Sequence, residues 1–282
     1  MKFSLQFSLF LRSFFLQAGW NYMKYQNLGL TFTMLPFLKN EYKNDKDALP
    51  SVLQRYLENF NTHPVMASFC LGALAKQEEQ IAHAQSLSDF KSKINEWNGI
   101  HRSLSITTAS IGDRLFWGTL KPLTLLLALF IWLALGVNFF ELENGIKIPL
   151  FYAFGAGAAA FVTFNAVALF VKWQGLKISY TAKENSCFGL TRFDWNKTIY
   201  NAKRIGIVLA VGMILFGVYY YLKDFAEVDV HFVTRAVIVL FFIMVSFITR
   251  KLRIPNMYLY LAAVAVFNIV CYLSYVCNMG DL

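Results

Sequence analysis

The stretch Gly112-Asp113-Arg114-Leu115-Phe116-Trp117-Gly118-Thr119-Leu120-Lys121-Pro122 sets a carboxylate and two aromatic rings directly before a long uncharged apolar run. An ionisable group near hydrocarbon costs about 2.5–3.5 kcal/mol at a helix centre on insertion scales, so Asp113 is read as functional. Acidic, aromatic and turn-forming residues at the edge of a membrane point to a machine that moves a polar solute. Asp113 has a second reading, as the cap of a helix starting near Leu115 with its carboxylate on free backbone amides. The two roles are compatible, because a fixed helix end also builds a polar pocket. Trp117 reads equally as an interfacial anchor.

Bond-breaking chemistry finds little support. There is no GxSxG, no HExxH, no glycine loop of the phosphate-cradling kind, and no paired nucleophile and base at a recognisable spacing. Cys70, Cys187, Cys271 and Cys277 form no CxxC pair and have no histidine at zinc-ligand spacing, so no metal and no cofactor is expected. Cys271 and Cys277 do not share a helix face, and buried free thiols are the expectation.

The elements that must position Asp113 are membrane helices. The 282 residues are 57% hydrophobic, 17% aromatic and only 15% charged, where a soluble domain has about a quarter charged. Mean hydropathy is +0.45, so lipid is a main solvent of the chain. Uncharged apolar runs occupy residues 122–140, 148–171, 205–222, 236–249 and 254–279. A spanning helix needs about 20 such residues. The fourth run has 14 and counts as a span only if it extends back toward His231.

Loop charge tests that count, since Lys and Arg concentrate in cytoplasmic loops. With the amino terminus inside, the inner segments carry 23 Lys plus Arg and the outer ones 3. The pattern predicts five crossings of an inner membrane, with the amino terminus cytoplasmic and the carboxyl terminus outside. It also accounts for the net charge of +9 without nucleic acid, because the basic residues flank spans and form no basic module. Ala153/Gly157 and Gly155/Ala159 place small residues at four-residue intervals, which suits close helix packing. Asn138, Asn165 and Asn268 are expected to bond between helices.

Residues 1–121 form a separate region, ahead of a membrane region at 122–282. Residues 3–11 read as an interfacial helix rather than a signal peptide, because Arg12 interrupts the apolar stretch. The apolar pieces 28–38 and 64–75 are too short to span and fit core or re-entrant helices. Residues 40–50 read as a solvated turn, and 51–60 as an amphipathic helix capped by Ser51. The fold class is therefore all-α: a polytopic membrane protein with re-entrant and interfacial helices followed by about five transmembrane helices.

Several motifs stand in register: Phe10-Leu11-Arg12-Ser13, Gln17-Ala18-Gly19-Trp20-Asn21-Tyr22, Gln26-Asn27-Leu28-Gly29, Phe60-Asn61-Thr62-His63-Pro64, Glu78-Glu79-Gln80 and the run from Gly112 to Pro122. Their order and spacing resemble the IID membrane component of the mannose-type (mannose, fructose, sorbose) sugar phosphotransferase system. The resemblance is dense over residues 10–122 and collinear beyond. It implies a subunit that pairs with a IIC membrane partner in an oligomeric translocating unit. Cytoplasmic IIA and IIB components would relay phosphate from phosphoenolpyruvate to the incoming hexose or amino sugar. In that family the phosphorylated histidines belong to IIA and IIB, so no residue here is expected to be catalytic.

On that resemblance the sugar-binding candidates are Asn21, Asn61, Glu78, Gln80 and Asp113 for the hydroxyls, with Trp20 and Trp117 as aromatic faces. Asn61 reads equally as a residue that shapes a turn. Adjacent Glu78 and Glu79 cannot line one site together, so at least one is solvated or ion-paired. His63 reads as structural first. The chain departs from the family pattern at Arg114, where a proline is usual. Ser105 to Ile111 replaces a glycine-rich approach, and Cys187-Phe188-Gly189-Leu190 thins a glycine cluster. These losses of backbone freedom raise an alternative: a membrane scaffold subunit that assembles without moving sugar.

Overall fold

The computed structural model describes residues 1–45, 47–136, 150–182 and 184–223. It divides into two compact units, Met1–Ile214 and Leu215–Leu282, and the description below concerns the first. The described residues are mostly helical, and no extended strand occurs among them. The expected spans at 236–249 and 254–279, with Asn138, Asn268, Cys271 and Cys277, lie outside the described residues.

Helix α1 covers Phe3–Arg12 and runs into a single 3-10 turn at Ser13–Phe15. Helix α2 covers Asn27–Glu41 and passes straight through Pro36. Proline has no N–H to give to the carbonyl four residues back, which is that of Phe32. The Arg12 guanidinium takes that place, donating from Nη1 to the Phe32 carbonyl at 3.2 Å while lying 4.5 Å from the Phe32 ring centroid. The apolar piece at 28–38 is thus part of one helix that runs past Pro36 to Glu41.

Helix α3 covers Leu49–Tyr56 and starts two residues before the expected cap. Pro50 in the first turn presets the helical φ, and Ser51 lies inside the helix, its hydroxyl donating back to the Ala48 carbonyl at 2.7 Å. Ser51 is therefore not the cap.

Helix α4, Ala67–Ala82, is the centre of the core and is buried on nearly every side. A helix apolar all round must be covered all round. α5 (Leu87–Gly112) and α7 (Leu150–Thr181) pack against it most extensively, and α2 adds a further face. The α4–α7 crossing is tight enough to need glycine on both helices. A Cβ on Gly72 would clash with the Leu176 carbonyl and the Ser179 hydroxyl, and one on Gly175 with Ser68 and the Phe69 ring. The short apolar piece at 64–75 is thus a core helix.

α5 is capped by Ser86, whose hydroxyl accepts from the Asp89 amide at 3.1 Å. It then continues without a break into π-helical turns at Asp113–Leu120 and into α6 at Lys121–Gly136. Pro122 cannot donate into the backbone ladder, and the looser π turns lie immediately before it. α7 is followed by a 3-10 segment, Glu184–Arg192, and by α8, Trp195–Lys223.

Among the described residues, three helical stretches are long and apolar enough to cross a membrane: Leu87–Trp132, Phe154–Thr181 and Ser186–Phe216. They overlap the first three expected spans. Large apolar side chains point outward along them, among them Phe154, Phe161, Phe170, Val208 and Ile214. In water such a surface would be unfavourable at about 25 cal/mol per Å²; in lipid it is not. The protein is an all-helical membrane protein.

The small-residue face of α7 splits in two. Ala156 and Ala160 are buried within the chain, while a Cβ on Gly155 or Gly157 would meet nothing within 4 Å. Asn165 does not bond between helices as expected: its Nδ2 donates back to the Phe161 carbonyl of α7 at 2.8 Å. Cys70 is a buried free thiol, whereas Cys187 is exposed and departs from the expected burial.

Candidate functional site

Most of the motifs meet at one joint. Asn21 closes a small loop by exchanging backbone bonds with Tyr25, N to O at 3.0 Å and 2.9 Å in the two directions. The return of the chain requires Tyr25 to take a left-handed backbone, φ 57°, a conformation uncommon for a bulky residue. The Asn21 side chain serves the loop as well: Oδ1 accepts from the Lys24 amide at 2.9 Å, and Nδ2 donates to Asn27 Oδ1 at 2.9 Å. Trp20 projects from this loop, 45% exposed, edge-on to Tyr22.

Gln26 fastens that loop to the Phe60–Pro64 motif. Its backbone N–H donates to the Phe60 carbonyl at 2.8 Å. Its buried side-chain amide pairs with both sides of Thr62, accepting from the Thr62 amide at 3.0 Å and donating to the Thr62 carbonyl at 2.8 Å. Such two-point pairing fixes a backbone as a strand would. Asn61 lies on the exposed side of this segment, between the two clamped residues. Thr62 continues inward, its hydroxyl bonded to that of Thr108 on α5 at 2.7 Å.

His63 then inserts against the run from Gly112 to Pro122. It is 4% exposed and stacks on Phe116, with centroids 4.9 Å apart and planes 15° from parallel, while Trp117 meets it edge-on at 5.8 Å. Its Nδ1 accepts from the Val65 amide at 3.3 Å, which assigns the proton to Nε2. Burial pushes its pKa down to about 4, against the opposing pull of the Asp113 carboxylate. His63 is a neutral structural ring at neutral pH.

Asp113 and Trp117 stand on the outer side of the π-helical turns, and both are exposed. Lys121 Nζ lies 4.6 Å from the Trp117 ring centroid, a cation–π contact. Because α5 runs unbroken into these turns, Asp113 caps no helix start; that expectation is corrected. π-helical turns are rare and concentrate at functional sites, and here they carry the motif that drew attention in the sequence. Arg114 is exposed and its carbonyl accepts from the Thr119 hydroxyl at 2.8 Å.

Glu78 and Gln80 are elsewhere. Eleven residues beyond Ala67, Glu78 lies roughly 16 Å along α4 at 1.5 Å per residue. It is wholly buried, receives the Arg55 guanidinium, and accepts from Tyr42 at 2.7 Å and Tyr56 at 3.0 Å. Trp97 packs on Tyr56 and lies under Arg55. Burial raises the Glu78 pKa, opposed by Arg55 and the two tyrosine donors. Glu79 accepts from Tyr180 of α7 at 2.6 Å, and the Gln80 carbonyl accepts from Lys93 at 3.2 Å. The motif at 78–80 ties α4 to its neighbours.

One residue at the joint was not singled out from sequence. Lys172 of α7 is 5% exposed, and its ammonium donates to the Ser13 carbonyl at 3.1 Å and lies 4.2 Å from the Phe14 ring centroid. The apolar run ends at Val171, so Lys172 reads in sequence as a flanking charge. Its seven-residue spacing from Asn165 was the available signal, since the pair shares a helix face.

Comparison with known proteins follows this geometry. The chain is 31% identical over 173 residues to the "PTS system mannose-specific EIID component" of Escherichia coli K12, covering 61% of this chain and 53% of that protein. It is 35% identical over 174 residues to the "Fructose permease IID component" of Bacillus subtilis 168, covering 62% and 55%. These matches span about half the length of the curated relatives. A solved structure titled "Structure of membrane protein" has the same fold, with a TM-score of 0.62 at 22% identity over 98% of this chain and 97% of that one. The family model described as "PTS system mannose/fructose/sorbose family IID component" matches residues 4–273, and the chain belongs to that family.

Proposed function

We propose that this protein is the IID subunit of a phosphoenolpyruvate-dependent sugar phosphotransferase system. With a IIC partner it forms the translocation unit for a mannose-type hexose, which IIB, charged by IIA, phosphorylates during uptake. The observation that carries this reading is the joint: the motifs from residues 17–29, 60–64 and 112–122 are far apart in sequence and pack against one another. Trp20, Asn61, Asp113 and Trp117 are its exposed polar and aromatic groups, suited to contacting sugar or the IIC partner. Asn21 shapes the loop that carries Trp20, while Glu78 and Gln80 act at a distance by holding α4. The relatives named for mannose and fructose support a hexose as substrate.

In this reading residues 1–121 form the motif-bearing region and 122–282 the membrane region. The chain sits in the inner membrane with five crossings and a cytoplasmic amino terminus, in accord with the positive charge of its inner loops. Transport proceeds by movement of one helical bundle against another around the site. The scaffold alternative is not favoured, because Arg114 occupies a continuous helix that a proline would interrupt. The deciding experiment is phosphoenolpyruvate-dependent phosphorylation of labelled hexoses and amino sugars by membranes holding IIC, IIB and IIA, with and without this chain. Activity that needs the chain, and that Asp113→Asn abolishes while IIC still co-purifies, is the expected result. Assembly without activity on any sugar would reject transport.

A further inference from the structure

Lys172 is an ammonium group enclosed in a helix long and apolar enough to span a membrane. Charged side chains in such helices face a partner or a polar cavity. The ammonium has three protons to donate. The Ser13 carbonyl, at the end of α1, accepts one, and no other hydrogen-bond acceptor for it is found among the described residues. One carbonyl and the Phe14 ring are thin compensation for a buried cation.

The ammonium borders a cavity of about 200 Å³ formed between the 3-10 turn after α1, the Pro64–Val65 segment and α7. Gln17 and Asn165 line it, as does Phe14. Gln17 makes no side-chain bond among the described residues, and Asn165 uses only Nδ2, leaving its oxygen free. The cavity thus has donors from Lys172 and Gln17, carbonyl acceptors from Gln17 and Asn165, and an aromatic ring. Its volume lies below the ~300–1,000 Å³ of pockets for drug-sized ligands, which restricts it to one small molecule.

We propose that this cavity binds a single hexose ring, with Lys172, Gln17 and Asn165 holding its hydroxyls and Phe14 covering an apolar ring edge. Sugar hydroxyls both donate and accept, so a site with an ammonium and two amides satisfies them in directions that an apolar solute would leave unpaired. The proposal rests on the sugar-transport reading and moves the centre of recognition from the exposed joint to a small, partly open cavity beside it.

The test is equilibrium binding of labelled mannose, fructose and sorbose to the purified complex of this chain with IIC, comparing wild type with Lys172→Met, Gln17→Leu and Asn165→Leu. Co-purification of IIC and the thermal midpoint are measured on the same samples. Each variant is expected to weaken binding of the preferred sugar by about tenfold or more, in line with loss of a hydrogen bond to a charged or buried group. Asn165 is half-buried and its one side-chain bond stays within its own helix, so its substitution is expected to leave the fold intact and decides the matter if Lys172→Met fails to assemble. Wild-type affinity in the Gln17 and Asn165 variants would overturn this proposal alone and leave Lys172 as a clamp between α7 and α1. A wild-type complex that binds none of the three sugars would overturn it together with the transport reading.

Discussion

His63 fills the space that a side chain on Gly112 would need. A Cβ built on Gly112 would stand 2.9 Å from His63 Nδ1 and closer still to its Cβ and Cγ. The absence of that one carbon lets the Phe60–Pro64 motif lie directly on the helix bearing Asp113 and Trp117, so the two motifs meet as a consequence of packing.

Gly112→Ala therefore pits two effects against each other. In a free helix the change would stabilise by about 1 kcal/mol, but overpacking a fitted core costs about 1–3 kcal/mol. The clash involves the stem of a ring already held by Phe116, so the expected net effect is destabilisation and displacement of the 60–64 segment. Thermal unfolding in detergent measures the first and sugar uptake the second. His63→Ala in the same chain is expected to restore stability, and failure to do so would separate the two residues.

The buried imidazole also makes stability depend on pH. Its folded pKa of about 4 lies below the ordinary 6.5, so between those values the unfolded chain holds a proton that the folded one does not. Stability contributed by this group is complete above about pH 6.5 and falls as pH drops toward 4, by up to about 1.4 kcal/mol per pH unit. Denaturant titrations at pH 7 and pH 5 are expected to show the loss, and His63→Gln to reduce it. Asp113→Asn removes the charge that favours the protonated ring and is expected to extend the loss to lower pH.

Glu78 separates a structural role from a binding role. Breaking one side of a buried ion pair costs about 3–5 kcal/mol, and Glu78→Gln would leave Arg55 without its counter-charge while keeping an acceptor for only one of the two hydroxyls of Tyr42 and Tyr56. A large fall in the unfolding midpoint is expected, with uptake lost in proportion to folded protein. Asp113→Asn should instead lose uptake at an unchanged midpoint. If Glu78→Gln proves as stable as wild type yet inactive, the motif at 78–80 belongs to the site after all.

These contrasts show what the sequence makes legible. The spans overlapping α6 to α8 follow from apolar runs, because lipid imposes length and composition directly. The helix within 28–38 was visible, but its extent past Pro36 depends on Arg12 reaching a carbonyl twenty residues away. Glu78 and Lys172 are both buried in ways that the sequence does not signal. A charge in a motif looks like a ligand until its partners Arg55, Tyr42 and Tyr56 are seen to surround it. A charge at the end of an apolar run looks like a flank until Ser13 and Phe14 are found closing over it. Burial by distant segments is the common cause.

The thinned glycine cluster offers a direct measure of what such a departure costs. Cys187, Phe188 and Gly189 adopt φ of 45°, 52° and 80°, three left-handed residues in succession of which only the last is glycine. A residue with a Cβ is disfavoured there by roughly 1–2 kcal/mol. Phe188 offsets this by burying its ring, but Cys187 is exposed and gains no such compensation. Cys187→Gly is therefore expected to stabilise the connection between α7 and α8 by about 1 kcal/mol, less the added freedom that glycine brings to the unfolded chain. Phe188→Gly is expected to destabilise, since the lost burial outweighs the relieved strain. Paired unfolding curves in detergent decide it: a Cys187→Gly protein less stable than wild type would mean that the segment carries no strain at that position.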